Sequence, residues 1–203
     1  MKTRYIFTLG LSIAIFCTNH LSVLAQNRQP TNTDLRKLRK DLQEHVSSLK
    51  NNSSIAHYIQ DSRTQAEKNK RESLVSRWSK IEPKLAPFLG DWSGYEAGIS
   101  IYPSNTKGRV CVASTNIAYG NVTTGIFSNG AIQTSRGEIL FKNGNYLGSA
   151  LLKNGRFKRN YETPFKSPRA LEPINKGISG MYDASEKEKR MLIRSLKKYG
   201  CRS

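Results

Sequence analysis

The chain has 203 residues, with 33 Lys+Arg against 15 Asp+Glu, a formal net charge of +18 and 37% hydrophobic residues. That length closes one modest core with room for a helical appendage. The one stretch apolar enough to enter a bilayer lies at the extreme N-terminus, which excludes a multi-spanning membrane protein, and 9% aromatics with alternating apolar runs argue against wholesale disorder.

Met1-Lys2-Thr3-Arg4 supplies a positive start, Tyr5 to Phe16 an apolar run, and Val23-Leu24-Ala25 a small-residue site, so residues 1–25 read as a signal peptide cleaved after Ala25. Polar Thr18, Asn19 and His20 cut the apolar run short of a membrane span, and bulky Phe16 before Cys17 disfavours a lipoprotein signal. The expected location is therefore periplasmic or secreted. An exported chain keeps disulfides, and the remaining cysteines, Cys111 and Cys201, are the candidate pair.

Residues 26–86 form the helical segment. Leu35, Leu38, Leu42, Val46 and Leu49 fall at helical steps, with Thr33 or Asp34 as the expected N-cap and Asn51-Asn52-Ser53-Ser54 as the stop. A second helical stretch runs from Ile55 and Ile59 through Leu74, Val75, Trp78, Ile81 and Leu85, and Pro83 and Pro87 end it. The two stripes are expected to form a hairpin packed on the following domain, with self-association through residues 33–50 as the alternative.

Residues 87–163 change texture. Val110 and Val112 alternate with Cys111, and Asn129-Gly130, Asn143-Gly144 and Asn154-Gly155 each follow an apolar residue and a polar one. Asn-Gly accepts the positive φ of a type I′ turn, so three of them predict a meander of six to eight short antiparallel strands. Residues 164–203 read as a Pro- and Gly-containing extended linker and then a helix opened by the capping box Ser185-Glu186-Lys187-Glu188 and closed at Gly200. The predicted fold class is α+β: an N-terminal helical pair, a small antiparallel β-barrel or twisted β-meander, and a C-terminal helix.

His45 and His57 belong to no metal-ligand spacing, no nucleophile elbow or phosphate loop is present, and no residue pattern implies a cofactor. The chain therefore reads as non-enzymatic, the enzymatic alternative being a glycan-directed hydrolase with a carboxyl pair from Asp91, Glu96, Glu138 and Glu162. Basic charge is the stronger lead. Residues 26–86 carry 13 basic against 7 acidic residues, 87–163 carry 8 against 4, and 164–203 carry 10 against 4. An excess spread this evenly argues against a dedicated nucleic-acid groove and for an anionic envelope polymer or membrane surface, with Arg156, Lys158 and Arg159 as the local focus. Trp92, Tyr102, Tyr119 and Tyr146 are the aromatic candidates for a sugar or small-ligand site.

Phe88-Leu89-Gly90-Asp91-Trp92 resembles the Gly-x-Trp that opens the first strand of lipocalin-type barrels. The resemblance implies that Trp92 packs at a closed end with Arg156 or Arg159 over it, and that the alternative function is a small-ligand carrier. Asn143-Gly144-Asn145-Tyr146-Leu147-Gly148, with Lys153-Asn154-Gly155, resembles the hairpin unit of MORN repeats and implies an antiparallel binding unit.

Overall fold

The computed structural model describes residues 28–116, 119–176 and 184–202; the signal segment read over residues 1–25 lies outside them. Among the described residues are three α-helices and a nine-stranded antiparallel sheet. None of these helices is long and apolar enough to cross a membrane.

Helix α1 spans Asn32–Lys50. Its N-cap is Thr31, two residues before the expected one: Asp34 N–H donates to Thr31 Oγ1 at 3.1 Å, and Thr31 N–H donates back to Asp34 Oδ2 at 2.9 Å. Asp34 thus closes a capping box from the third position rather than capping the helix itself. The predicted stripe Leu35, Leu38, Leu42, Val46 and Leu49 is buried against the sheet. Each such side chain contributes about 1.5–3 kcal/mol by leaving water. The stripe is therefore occupied within the chain.

The second helical stretch is broken in two. A 3₁₀ turn covers Ala56–Ile59, and α2 starts afresh at Gln65–Ser79. The restart is a second capping box, Thr64 with Glu67, whose Thr-x-x-Glu pattern is visible in the sequence. The expected hairpin does not form, because the two helices serve different clusters. Leu74 and Trp78 of α2 join the core on the sheet's inner face, whereas α1 covers part of its outer face.

The strands are β1 Gly90–Ser93, β2 Ala97–Pro103, β3 Arg109–Asn116, β4 Gly120–Ser128, β5 Ala131–Thr134, β6 Ile139–Asn143, β7 Tyr146–Lys153, β8 Arg156–Arg159 and β9 Lys166–Arg169. The order is β8-β7-β6-β5-β4-β3-β2-β1-β9, so eight strands form an uninterrupted meander and the ninth returns to β1. The predicted linker thus contributes a strand. Its Pro168 is tolerated because β9 is an edge strand. The sheet is not closed; one isolated bridge between Leu147 and Phe165 joins β7 to the residue before β9.

Two of the three Asn-Gly pairs occupy two-residue loops. Asn129 and Gly130 (φ 53° and 75°) link β4 to β5, and Asn154 and Gly155 (φ 52° and 73°) link β7 to β8, both as type I′ turns demand. The third is shifted by one residue: Asn143 pairs with Tyr146, so the loop is Gly144-Asn145, with positive φ at Gly144. Helix α1 docks on these reversals through Arg39, which donates to the Gly130 carbonyl at 2.8 Å and to the Lys142 carbonyl at 3.2 Å.

Alternation divides the core by face. Trp92, Ile99, Ile101, Val110, Val112, Ile132 and Leu140 fill the inner face, while Ala131, Ile139, Phe141 and Ala150 face outward beneath α1. Tyr102 and Cys111 face outward beneath the third helix, α3 (Glu186–Lys198), through Leu196. Cys111 and Cys201 form a disulfide with Cα atoms 5.9 Å apart. Gly200 (φ 68°) ends α3 as expected, and the tail then bonds back to the sheet, with Arg202 N–H donating to the Pro103 carbonyl at 2.8 Å.

Candidate functional site

The aromatic candidates do not assemble into one mouth. Trp92 is 1% exposed on the inner face, its Nε1–H donating to the Phe88 carbonyl at 2.7 Å. Tyr102 is equally buried on the outer face, where burial and neighbouring Asp91 raise its pKa. Trp92 and Tyr102 therefore lie on opposite sides of the sheet, and Tyr119 stands 62% exposed. Tyr146, by contrast, lines a cleft of about 430 Å³.

The cation over Trp92 is Lys142, not Arg156 or Arg159. Its Nζ lies 5.1 Å from the Trp92 ring centroid and 5.8 Å from that of Phe88, and donates to the Pro87 carbonyl at 2.9 Å. The Arg71 guanidinium donates to the same carbonyl at 3.1 Å. Burial, reinforced by Arg71, lowers the Lys142 pKa to about 8, and burial lowers that of Arg71 to about 10. Alternation from Leu140 places Lys142 on the inner face, a signal already present in the sequence.

Arg156, Lys158 and Arg159 are exposed on β8. Phe157 between them turns toward α1 and carries the Arg28 guanidinium 5.0 Å from its ring, while Arg159 stacks 5.8 Å from the ring of Tyr161. Lys158 and Arg159 share an open depression with Lys37, Asp41 and Glu44 of α1, where acids and bases are mixed.

Helix α3 differs. Leu192 and Leu196 face the sheet, and at 3.6 residues per turn the opposite arc carries Lys187, Arg190, Arg194, Lys197 and Lys198. Its two acids, Glu186 and Glu188, are confined to the first turn, where Glu188 closes the Ser185 capping box and Glu186 pairs with Lys189 at 3.0 Å. Among the described residues no ion pair engages Arg190, Arg194, Lys197 or Lys198. Counting charge by segment missed this face; placing it on the helix reveals it.

A cleft of about 430 Å³ opens between α1, the 3₁₀ turn, the β6–β7 loop and β9. Leu42, Val46 and Ile59 form its floor, with Lys50, Tyr146 and Lys166 around it. The Tyr146 hydroxyl donates to the Ile59 carbonyl at 3.3 Å, which fixes the ring. Asp61, also in the lining, is held by Arg63 through bonds of 2.9 and 2.8 Å, and this pair holds its carboxyl well below the usual range.

Among the described residues no group of three His, Cys, Asp or Glu is placed to hold a metal ion. His45 Nε2 lies 2.6 Å from the Glu162 carbonyl oxygen, and His57 stacks on Tyr58 with ring centroids 3.8 Å apart. No family model matches the chain, and no curated protein or solved structure gives a significant match.

Proposed function

We propose that this is an exported, non-enzymatic attachment protein that holds anionic polymers of the cell envelope on a cationic surface. The observation that supports it best is the outward face of α3, five Lys and Arg with Glu186 alone at its N-terminal edge, on a helix covalently tied to the sheet through Cys201. A rod of 13 residues is about 20 Å long. It presents fixed charge to a linear polyanion at little ordering cost to the protein. The disulfide fits an oxidising compartment.

Retention of the full chain on immobilised polygalacturonate tests the reading. It should fall steeply with added salt, and the variant Arg190→Ser/Arg194→Ser/Lys197→Ser/Lys198→Ser should elute at much lower salt than the parent. Retention indifferent to salt, or unchanged in that variant, overturns the proposal.

A further inference from the structure

We infer that the cleft beside Tyr146 is a subsite for an acidic sugar, one to three residues of a uronic-acid-type oligosaccharide. This rests on the attachment reading and gives it a chemical specificity that charge alone does not supply.

The volume of about 430 Å³ lies in the range of small-ligand sites and suits a short oligosaccharide. Its composition is amphipathic in the manner of a pyranose ring. An aliphatic floor and one side of a Tyr ring meet the C–H faces, while the Gln43 and Asn145 amides, free of hydrogen bonds among the described residues, can take hydroxyls as donors or acceptors. Tyr146 is preorganised, because its hydroxyl is tied to Ile59 and its ring packs with the cluster under α1.

The charge in the cleft selects a carboxylate. Asp61 is the one acid in the lining, and both its oxygens are bonded by Arg63, with Lys68 3.7 Å away. Arg63 in turn spends its remaining terminal nitrogen on the Pro168 carbonyl at 2.8 Å. The cations left over are lysines. Lys50 sits 5.8 Å over the Tyr146 ring with no hydrogen bond, and Lys166 donates to the Gln60 and His57 carbonyls at 2.6 and 3.4 Å, keeping one N–H in reserve.

A phosphate-recognition site favours a free Arg fork, and a nucleic-acid channel favours successive aromatic platforms. The cleft offers one ring and two point charges, which fits a sugar acid better than either.

Titration calorimetry of the full chain with trigalacturonic acid, its neutral galactose counterpart and a short polyphosphate tests the assignment. Trigalacturonate should bind, the neutral trimer at least about tenfold more weakly, and Tyr146→Ala should weaken binding by about tenfold or more. Lys50→Met, on an exposed side chain whose loss leaves the fold intact, should weaken it several-fold and flatten its salt dependence. The α3 quadruple variant should leave it unchanged, so a trimer that still binds when polymer retention is lost separates the two sites. Trimer binding unaffected by both Tyr146→Ala and Lys50→Met, or absent from the parent, overturns the subsite. So does polyphosphate binding in the cleft as tightly as the trimer.

Discussion

Helices α1 and α3 lie on the same side of one sheet, open with the same capping box, and differ in almost everything else. Helix α1 buries five apolar residues, carries Lys40 paired with Glu44 at 3.6 Å on its outward face, and needs no covalent help. Helix α3 buries only Leu192 and Leu196 and is secured by Cys201. The comparison teaches that a helix with little apolar contact can still be a fixed element when a cross-link supplies the anchorage, and that its outer face is then free to carry charge of one sign.

The strongest way to break that contrast is to remove the cross-link. Cys111→Ser/Cys201→Ser opens a loop of 90 residues and should cost about 4 kcal/mol in the chain-entropy account. Amide exchange should rise first in α3 while α1 stays protected; equal exchange in both helices would contradict the division of labour.

The mirror experiment is Leu42→Ala. Leu42 of α1 is fully buried against the sheet, and its truncation should cost about 3 kcal/mol by urea denaturation. A loss below about 1 kcal/mol would mean that α1 is not a second layer of the core.

The inner face, covered by neither helix, sharpens the comparison through pH. The folded chain holds Lys142 near 8 against an ordinary value of 10.5. Between those values the unfolded chain binds the extra proton, so stability should rise as pH climbs from 8 toward 10, by about 2 kcal/mol for this half-buried group. Lys142→Met should flatten that slope in urea midpoints. Above pH 10 the Tyr161 hydroxyl, pushed up to about 12 by burial, works in the opposite direction.

The smallest effect belongs to a turn remote from all of this. Gly155 has φ 73° with open space where a Cβ would go, so Gly155→Ala should cost about 1 kcal/mol through backbone conformation alone. A neutral result would show that the β7–β8 reversal tolerates a side chain.

What the sequence made legible was local. The apolar stripe of α1, the Ser185 capping box, the stop at Gly200 and the opposed faces of Val110 and Cys111 each follow from spacing within a few residues, and the Cys111–Cys201 pair follows once Cys17 is set aside with the expected signal segment. What escaped depended on distant partners. Strand β9 pairs with β1 across more than 70 residues and reaches it through a bulge, with Ser167 at φ 48°, so Pro168 read naturally as linker. The break between the 3₁₀ turn and α2 was readable from Thr64 and Glu67 but is masked by the apolar spacing on either side. Of the candidate site residues, Trp92 and Tyr102 proved to be core on opposite faces. The cationic face of α3 depends on how its charges fall around the helix. The cleft drew Tyr146, Lys50 and Lys166 from three separate stretches of chain, and no spacing rule connects them.

Strand β8 ends the sheet, and among the described residues its outer backbone groups have no neighbouring strand in the ladder. An unpaired rim of this kind invites a second molecule to zip onto it, which is how soluble β proteins begin to clump. Arg156, Lys158 and Arg159 place three like charges on a strand of four residues, so two such rims repel before their amides can meet. Whatever else those side chains touch, like charge on such a rim works against edge-to-edge pairing.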